Sequence, residues 1–249
     1  MNASLRLMLC ALTAITCMNT LAAETAAPSV NDIDAVYKNP IVVEFVVTDG
    51  ADLIDFAGPA EVFNFVRLPG HPNDSPYIEY IVSDKMDPVK LVGGSFDPTR
   101  GGGFVVMPNY TFDTAPPADI IMVGGQARYN PTPKELKWLR ARHDHKQTVM
   151  SVCTGAYDLA RAGLLDDKQA TTHHDAFSFF QQTFPKVTIV RGKRYVQSDP
   201  GLYTAGGLSS GIDLALHMVD IRFGRAVAEK TATQLEYQGT GWLTNTSTF

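Results

Sequence analysis

Three short, almost continuously apolar runs constrain the fold of this chain more than any other feature. They span residues 41–47, 119–123 and 148–152, and a segment with helical character follows each of them. A continuous apolar run of this length is typical of a strand that is buried on both faces. Strands that alternate with helices indicate a parallel sheet covered by helices on both sides. The sequence therefore predicts an α/β fold.

The remaining segments extend this pattern. The sequence predicts helices over residues 59–66, 133–143, 154–162, 174–183, 209–223 and 226–237, and further strands over residues 77–82, 170–172, 187–190, 194–197 and 202–205. Residues 48–58 are predicted to be a loop, and the glycine-rich residues 90–107 a β-excursion. Pro59 is predicted to be the first residue of its helix, because the first turn of a helix does not need its N–H.

The N-terminus has the pattern of a secretory signal peptide over residues 1–23. Arg6 gives a basic start, a short apolar run follows, and small residues end at Ala23. A short membrane anchor is an alternative, but the run is too short to span a bilayer comfortably. Lipidation of Cys17 is another, although the usual leucine three residues before it is absent. We expect cleavage near Ala23 and a periplasmic or secreted protein.

The rest of the chain suits one domain. We predict a polar linker over residues 24–39, a domain over residues 40–238 and a polar, fraying tail over residues 239–249. Loss of Arg6 with the leader changes the formal net charge from −5 to −6. Mild acidity provides no electrostatic footprint for nucleic acid or for an anionic membrane surface. We therefore expect a small-molecule substrate, no nucleic-acid partner and no membrane association after cleavage.

Cys153 is the only cysteine that remains once the leader is removed, because Cys10 and Cys17 lie within it. It stands between the strand over residues 148–152 and the helix over residues 154–162, the geometry of a nucleophile elbow. The N-terminus of that helix favours the thiolate, so we expect a thiol pKa below the ordinary value of about 8.5. The alternative is that Cys153 packs as a small, inert core residue.

Three loops follow the three apolar runs. In a parallel sheet, binding sites form beyond the carboxyl ends of the strands. The loop after residues 41–47, Gly124 with Gly125, and Cys153 should therefore converge.

Several motifs make the sequence resemble the ThiJ/PfpI superfamily, which has the class I glutamine amidotransferase-like fold. The motifs span residues 152–156, 162–165 and 170–173. Residues 53–63, 205–207, 211–213 and 234–237 resemble two groups within it, the isocyanide hydratases and the ligand domains of AraC-type regulators. The resemblance extends over about residues 41–237. It implies a flavodoxin-like parallel sheet sandwiched by helices, a nucleophile elbow, and a homodimer.

The resemblance also implies roles for individual residues. Cys153 is the expected nucleophile, Asp55 on the loop after the first strand the residue that handles a proton, and Thr154 the source of a hydroxyl near the thiol. The N–H groups of Gly125 and Thr154 are expected to hold a developing negative charge. The alternative role for Asp55 is to cap the helix that Pro59 begins.

Two other predictions concern ligand binding. Gly124 is expected to contribute to the substrate-binding loop, and His173 to line the pocket or serve a structural role without being catalytic. The histidine pairs His143/His145 and His173/His174 suggest metal binding, but no further cysteine ligands stand at a suitable spacing. We therefore expect solvated histidines, no metal and no cofactor.

The leading functional hypothesis is a cofactor-independent cysteine enzyme that resembles isocyanide hydratase and adds water to a small electrophilic carbon. Thr154 replaces the histidine that follows the nucleophile in proteases of the superfamily, which weakens a peptidase function. No helix-turn-helix region follows Tyr237 in the sequence, so we expect no promoter binding. Two alternatives remain, a glyoxalase- or deglycase-like enzyme and a ligand-binding or thiol-sensing module without turnover.

Overall fold

The computed structural model describes residues 30–91, 103–126 and 131–249. The predicted signal peptide over residues 1–23, residues 24–29 of the predicted linker and most of the glycine-rich excursion lie outside the described residues. Among the helices in the described ranges, none combines the length and the apolar character needed to cross a membrane.

Helices and strands alternate along the chain. The α-helices are α1 Val30–Lys38, α2 Leu53–Asn64, α3 Pro133–Asp144, α4 Ala156–Arg161, α5 Phe177–Thr183, α6 Ser210–Phe223, α7 Arg225–Gln234 and α8 Gly241–Thr244. The strands are β1 Ile41–Val46, β2 Tyr77–Ser83, β3 Val89–Lys90, β4 Val105–Val106, β5 Tyr110–Thr111, β6 Ile120–Val123, β7 Thr148–Ser151, β8 Gln169–Ala170, β9 Thr188–Ile189, β10 Tyr195–Asp199 and β11 Leu202–Ala205. Short 3₁₀ turns span Cys153–Gly155 and His174–Ala176.

The central sheet has seven strands in the order β10-β11-β7-β6-β1-β2-β5. All neighbouring pairs are parallel except β10 with β11. The inner order β2-β1-β6-β7-β11 is that of flavodoxin-like folds. In such a sheet the chain first adds a strand on one side of β1 and then adds the remaining strands on the other side. The predicted α/β fold with a parallel sheet is confirmed, and the reversal point lies between β1 and β6.

The inner strands are buried on both faces, as their continuous apolar runs predict. Along β1, Phe45 packs into one core cluster and the next residue, Val46, packs into the other. Helices α1, α2, α6 and α7 cover the first face, and α3, α4 and α5 the second. Because side chains of a strand alternate between faces, each strand contributes to both clusters and is fixed in register.

Helix α2 begins six residues earlier than predicted, at Leu53, so the expectation of a loop over residues 48–58 is wrong for its second half. Asp52 is the N-cap, and its side chain accepts a 3.3 Å hydrogen bond from the N–H of Ile54. Pro59 therefore lies inside the helix, where it provides no N–H for the carbonyl four residues earlier. The buried side chains of Pro59 and Phe63 offset part of that loss by packing into the core.

Two segments that were expected to be irregular pack onto the domain instead. Residues 30–38 of the predicted linker form α1, and Ile33 is buried in the core. The predicted fraying tail contains α8, whose Trp242 is buried. The main-chain N–H of Trp242 donates a 3.0 Å hydrogen bond to Asp213 on α6. An apolar side chain in each segment gains enough from burial to order the chain around it.

Candidate active site

Cys153 lies directly after β7, on the predicted strand-to-helix turn. Its φ of +57° is in the left-handed region, which is uncommon for a residue other than glycine and is typical of strained functional turns. The Cys153 N–H donates a 2.8 Å hydrogen bond to the carbonyl of Gly206, which follows β11. A Cβ on Gly155 would lie 2.2 Å from the carbonyl oxygen of Val123. Only glycine allows the turn to pack this closely against the end of β6.

Four residues meet beside this turn, and one of them, Asp55, lies in the first turn of α2 and not on the predicted loop. A Cβ built on Gly125 would lie 2.8 Å from Asp55 Oδ2, 2.8 Å from Thr154 Oγ1 and 3.5 Å from Cys153 Sγ. The carboxyl, the hydroxyl and the thiol therefore surround one point at which no side chain stands. This is the convergence that the positions of the loops at the carboxyl ends of β1, β6 and β7 predict.

Asp55 lies in the first turn of α2 and is completely buried. Its Oδ2 accepts a 2.7 Å hydrogen bond from the N–H of Gly125, and no described residue is a hydrogen-bond partner of Oδ1. Burial raises the pKa of Asp55 to about 7, against the opposing effect of the Gly125 N–H. The negative charge of Asp52 raises the pKa further, and a hydrogen bond with the Cys153 thiol lowers it. The carboxyl thus titrates near neutral pH, as a general acid or base requires.

The structure contradicts the predicted role of Gly125. Its single N–H already donates to Asp55, so it is not free to hold a charge that develops on a substrate. The main-chain N–H groups that form hydrogen bonds with the Cys153 sulfur are those of Thr154 and Leu208. Leu208 follows the glycine pair Gly206 and Gly207, and its φ of +49° is left-handed. This glycine pair follows a strand that ends at the same edge of the sheet as β7. It is the sequence signal from which the contact of Leu208 with the sulfur could have been predicted.

The predicted lowering of the thiol pKa is wrong. Burial raises the pKa of Cys153 to about 12, and the nearby carboxylate of Asp55 raises it further. The N–H groups of Thr154 and Leu208 act in the opposite direction without compensating. Desolvation disfavours the charged form of any buried acid, and here it outweighs the helix N-terminus. The candidate site therefore holds a protonated thiol at neutral pH.

His173 is half-buried and lines a cavity beside the loop of Gly206, Gly207 and Leu208. A Cβ on Gly207 would lie 2.3 Å from His173 Cδ2, so the ring is packed directly on the loop that provides the Leu208 N–H. Its Nδ1 accepts a 3.3 Å hydrogen bond from the N–H of Asp175. Burial lowers the pKa of His173, with a smaller contribution from His174. A neutral ring that packs on the loop fits the predicted pocket-lining role, which stays a prediction.

One group of potential metal ligands exists within the described ranges. His173, His174 and Asp175 each offer an atom, and these atoms lie within 4.8 Å of one another. The predicted pair His143/His145 is not part of such a group in the described part of the chain. The expectation that the protein needs no metal stays a prediction.

The chain is similar in sequence to a known protein family and to individual members of it. The sequence profile of the DJ-1/PfpI family matches residues 42–221. The isonitrile (isocyanide) hydratase of Pseudomonas putida is 34% identical over 142 residues, which is 56% of this chain and 60% of that enzyme. The HTH-type transcriptional regulator GbdR of Pseudomonas aeruginosa is 28% identical over 138 residues, 55% of this chain and 37% of the regulator. The matched regions therefore span less than two thirds of either relative.

Among solved structures, a ThiJ/PfpI family protein from Pseudomonas syringae superposes with a TM-score of 0.64 at 25% sequence identity. The match covers 86% of this chain and 83% of that protein. The similarity includes nearly the whole of the described domain and supports the flavodoxin-like architecture.

Proposed function

The chain belongs to the DJ-1/PfpI family, and from this we propose that it is a cysteine-dependent hydratase that adds water to the electrophilic carbon of a small isocyanide. The observation that supports the proposal most is the convergence of Cys153, Asp55 and Thr154 around the empty side-chain position of Gly125. A nucleophile next to a buried acid with a pKa of about 7 is the arrangement that hydration of an isocyanide needs.

The first step is addition of the thiol to the isocyanide carbon. The Cys153 Sγ–H bond breaks, the sulfur bonds to the carbon, and a proton is delivered to the same carbon through the free Oδ1 of Asp55. The product is a thioimidate, R–N=CH–S–Cys153, in which all atoms of the isocyanide and the thiol are retained. Because the resting thiol is protonated, removal of its proton by Asp55 and attack of the sulfur must occur together.

The second step is hydrolysis of the thioimidate. Water loses a proton to Asp55 and adds to the carbon, after which the carbon–sulfur bond breaks. The sulfur regains a proton, the nitrogen takes up the other, and an N-formyl amine leaves. The N–H groups of Thr154 and Leu208 stabilise the sulfur as it departs with negative charge. The Thr154 hydroxyl holds the water in line with the carbon.

The proposal is tested by measuring N-formyl amine formation by NMR with methyl, cyclohexyl and benzyl isocyanide. We expect turnover by the wild type, none by Cys153→Ala, and loss of proton transfer in a folded Asp55→Asn protein. Thr154→Val is the matched near-isosteric change, and it should slow the reaction less than either, because it removes positioning and no reacting group. Turnover of isocyanides at the wild-type rate by Cys153→Ala would overturn the proposal.

A second candidate function is a ligand-binding or thiol-sensing module without turnover. The resting thiol favours the ligand-binding form of this function, because a pKa raised to about 12 leaves little thiolate at neutral pH for catalysis or for oxidation. The regulator relatives are consistent with it. A wild-type protein that leaves all isocyanides unchanged, yet binds small ligands, would support this function.

A panel that also contains glyoxals and peptides separates the aldehyde-directed alternative, since only an enzyme of that kind consumes glyoxals.

We propose in addition that the mature protein is periplasmic or secreted and forms a homodimer. The first proposal is based on the basic and apolar start of the sequence, and the second on the resemblance to a commonly dimeric superfamily. N-terminal sequencing of protein from the periplasmic fraction should begin near Glu24. Light scattering after size exclusion should give about twice the mass of one mature chain.

A further inference from the structure

A cavity of about 220 Å³ lies beside the loop of Gly206, Gly207 and Leu208, and its described lining does not include Cys153 itself. Three of its lining residues also contact Cys153. The Thr172 hydroxyl donates a 2.8 Å hydrogen bond to the Cys153 carbonyl, the Gly206 carbonyl accepts the Cys153 N–H, and the Leu208 N–H donates to the sulfur. The cavity is smaller than the roughly 300–1,000 Å³ of sites for drug-sized ligands, so it suits a small molecule.

The charged side chains that line this cavity are cationic. Lys193 and Arg194 are among the lining residues, and no aspartate or glutamate of the described ranges is. Lys193 forms no ion pair with any residue that the structure describes. Its charge is therefore available to a ligand.

The positive charge of Arg194 is partly balanced by a carboxylate that does not line the cavity. Its Nε donates a 2.5 Å hydrogen bond to the buried carboxylate of Asp213, and its Nη2 donates at 3.0 Å to Ser209. The guanidinium also shares a hydrogen bond with the side chain of Tyr237. Asp213, Ser209 and Tyr237 thus fix the orientation of the guanidinium, whose five N–H donors exceed these three partners.

A second, independent feature of the cavity is an unsatisfied hydroxyl. Thr171 lines the cavity and is 1% exposed, and its Oγ1 has no hydrogen-bond partner among the described residues. A buried hydroxyl without a partner is costly, and such groups in native proteins generally serve a ligand or a water molecule. Its position on the cavity wall provides an additional donor for a ligand there.

We propose that this cavity binds the carboxylate of a small, singly negative substrate whose electrophilic carbon then lies at Cys153. The inference rests on the proposed hydratase function and names its substrate class, an isocyanide that also contains a carboxylate. Asp213 balances the charge of Arg194, which leaves Lys193 as the charged lining side chain that has no ion pair among the described residues. One charge matches a carboxylate better than a doubly charged phosphate. The planar guanidinium and the Thr171 hydroxyl match the oxygen pair of a carboxylate.

The test compares two pairs of compounds that differ only in charge. Isocyanoacetate and its neutral amide are the substrates, and their hydration products N-formylglycine and N-formylglycinamide are the binding probes. We expect wild-type kcat/KM to be at least tenfold higher for isocyanoacetate than for the amide. Calorimetry with the Cys153→Ser protein, which needs no turnover, should show at least tenfold tighter binding of N-formylglycine. Both preferences should weaken as salt is added.

Lys193→Gln should bring both ratios close to one, whereas Lys230→Gln on the exposed face of α7 is the matched control and should leave them unchanged. If isocyanides are hydrated but both ratios are already near one in the wild type, the carboxylate site is wrong and the hydratase function stands. If neither isocyanide is hydrated but N-formylglycine still binds preferentially through Lys193, the hydratase function fails and the carboxylate site stands. Unchanged ratios in Lys193→Gln would overturn the assignment of Lys193.

Discussion

The N–H of Gly125 donates a 2.7 Å hydrogen bond to Oδ2 of Asp55, and the carbonyl of Gly125 accepts a 2.8 Å hydrogen bond from the N–H of Asp52. These two bonds join the loop after β6 to the start of α2 in both directions. One carboxyl oxygen of Asp55 is fixed in this way, and Oδ1 stays free. The loop that the sequence suggested as a charge-binding element therefore acts by positioning the acid.

The first prediction concerns the reactivity of the thiol. The Asp55 carboxylate is the second largest cause of the raised Cys153 pKa, so Asp55→Asn should lower that pKa. The thiolate fraction rises roughly tenfold for a pKa lower by one, as long as the pH stays below the pKa. Iodoacetamide should therefore alkylate Asp55→Asn faster than wild type between pH 8 and 10.

Asp52→Asn is the control for that experiment, since Asp52 is the smallest contributor to the raised thiol pKa and asparagine preserves the helix cap. Its alkylation rate should increase much less. Slower alkylation of Asp55→Asn than of wild type would show that the carboxylate activates the thiol at rest.

The second prediction concerns stability against pH. Burial raises the pKa of Asp55 from 3.8 to about 7 in the folded protein. A raised pKa means that the folded state holds the proton more tightly, so this stabilisation is complete below pH 4 and is lost as pH rises through 7. Between pH 4 and pH 8, Asp55→Asn should gain about 2–4 kcal/mol of unfolding free energy relative to wild type.

Urea unfolding at several pH values measures this difference directly. Other buried acids, such as Glu44, titrate in both proteins and cancel when the two are subtracted. A difference that does not change across this range would mean that Asp55 is not a buried, protonatable carboxyl.

The third prediction concerns Gly125→Ala. The added Cβ would lie 2.8 Å from both Asp55 Oδ2 and Thr154 Oγ1, which is too close for either atom to stay in place. Overpacking of this kind costs about 1–3 kcal/mol, and we expect isocyanide hydration to fall below detection. Gly70→Ala is the control, because its Cβ meets nothing within 4 Å although its φ of +85° imposes backbone strain. It should lose stability without losing activity.

The fourth prediction concerns Asp213, which is 1% exposed. It accepts hydrogen bonds from Arg194 Nε, from the hydroxyl of Tyr237 and from the N–H of Trp242. Asp213→Asn leaves a partly buried guanidinium without its counter-charge and weakens the docking of α8. We expect a loss of about 2–3 kcal/mol in unfolding free energy, reduced from the value for a fully buried pair by the exposure of Arg194.

Asp166→Asn, which breaks the exposed ion pair with Lys186, is the control and should change stability little. Limited proteolysis adds an independent readout, because release of α8 in Asp213→Asn should expose the segment after Gly239 to cleavage. Equal stability of the two variants would mean that Asp213 does not hold this segment.

Much of the fold could be predicted because its signals are local. Runs such as the one that forms β1 report burial on both faces, and chain order then dictates a parallel sheet with its loops at one edge. The turn at Cys153 and the convergence of Asp55, Gly125 and Thr154 follow from that topology. The start of α2 was missed because the cap at Asp52 outweighed the usual preference of proline for a first turn.

The parallel α/β fold, the family resemblance and most of the residues that meet at the site could be read from the amino-acid sequence. The hydrogen bonds among those residues could not, because they depend on tertiary packing. Whether the Gly125 N–H faces a substrate or Asp55, and whether Leu208 reaches the sulfur, depends on the relative placement of loops that are remote in sequence. Whether the pKa of Cys153 is raised or lowered also depends on tertiary packing, because desolvation and the distance to Asp55 are properties of the folded chain. A helix N-terminus is visible in the sequence, but the burial that outweighs it is not.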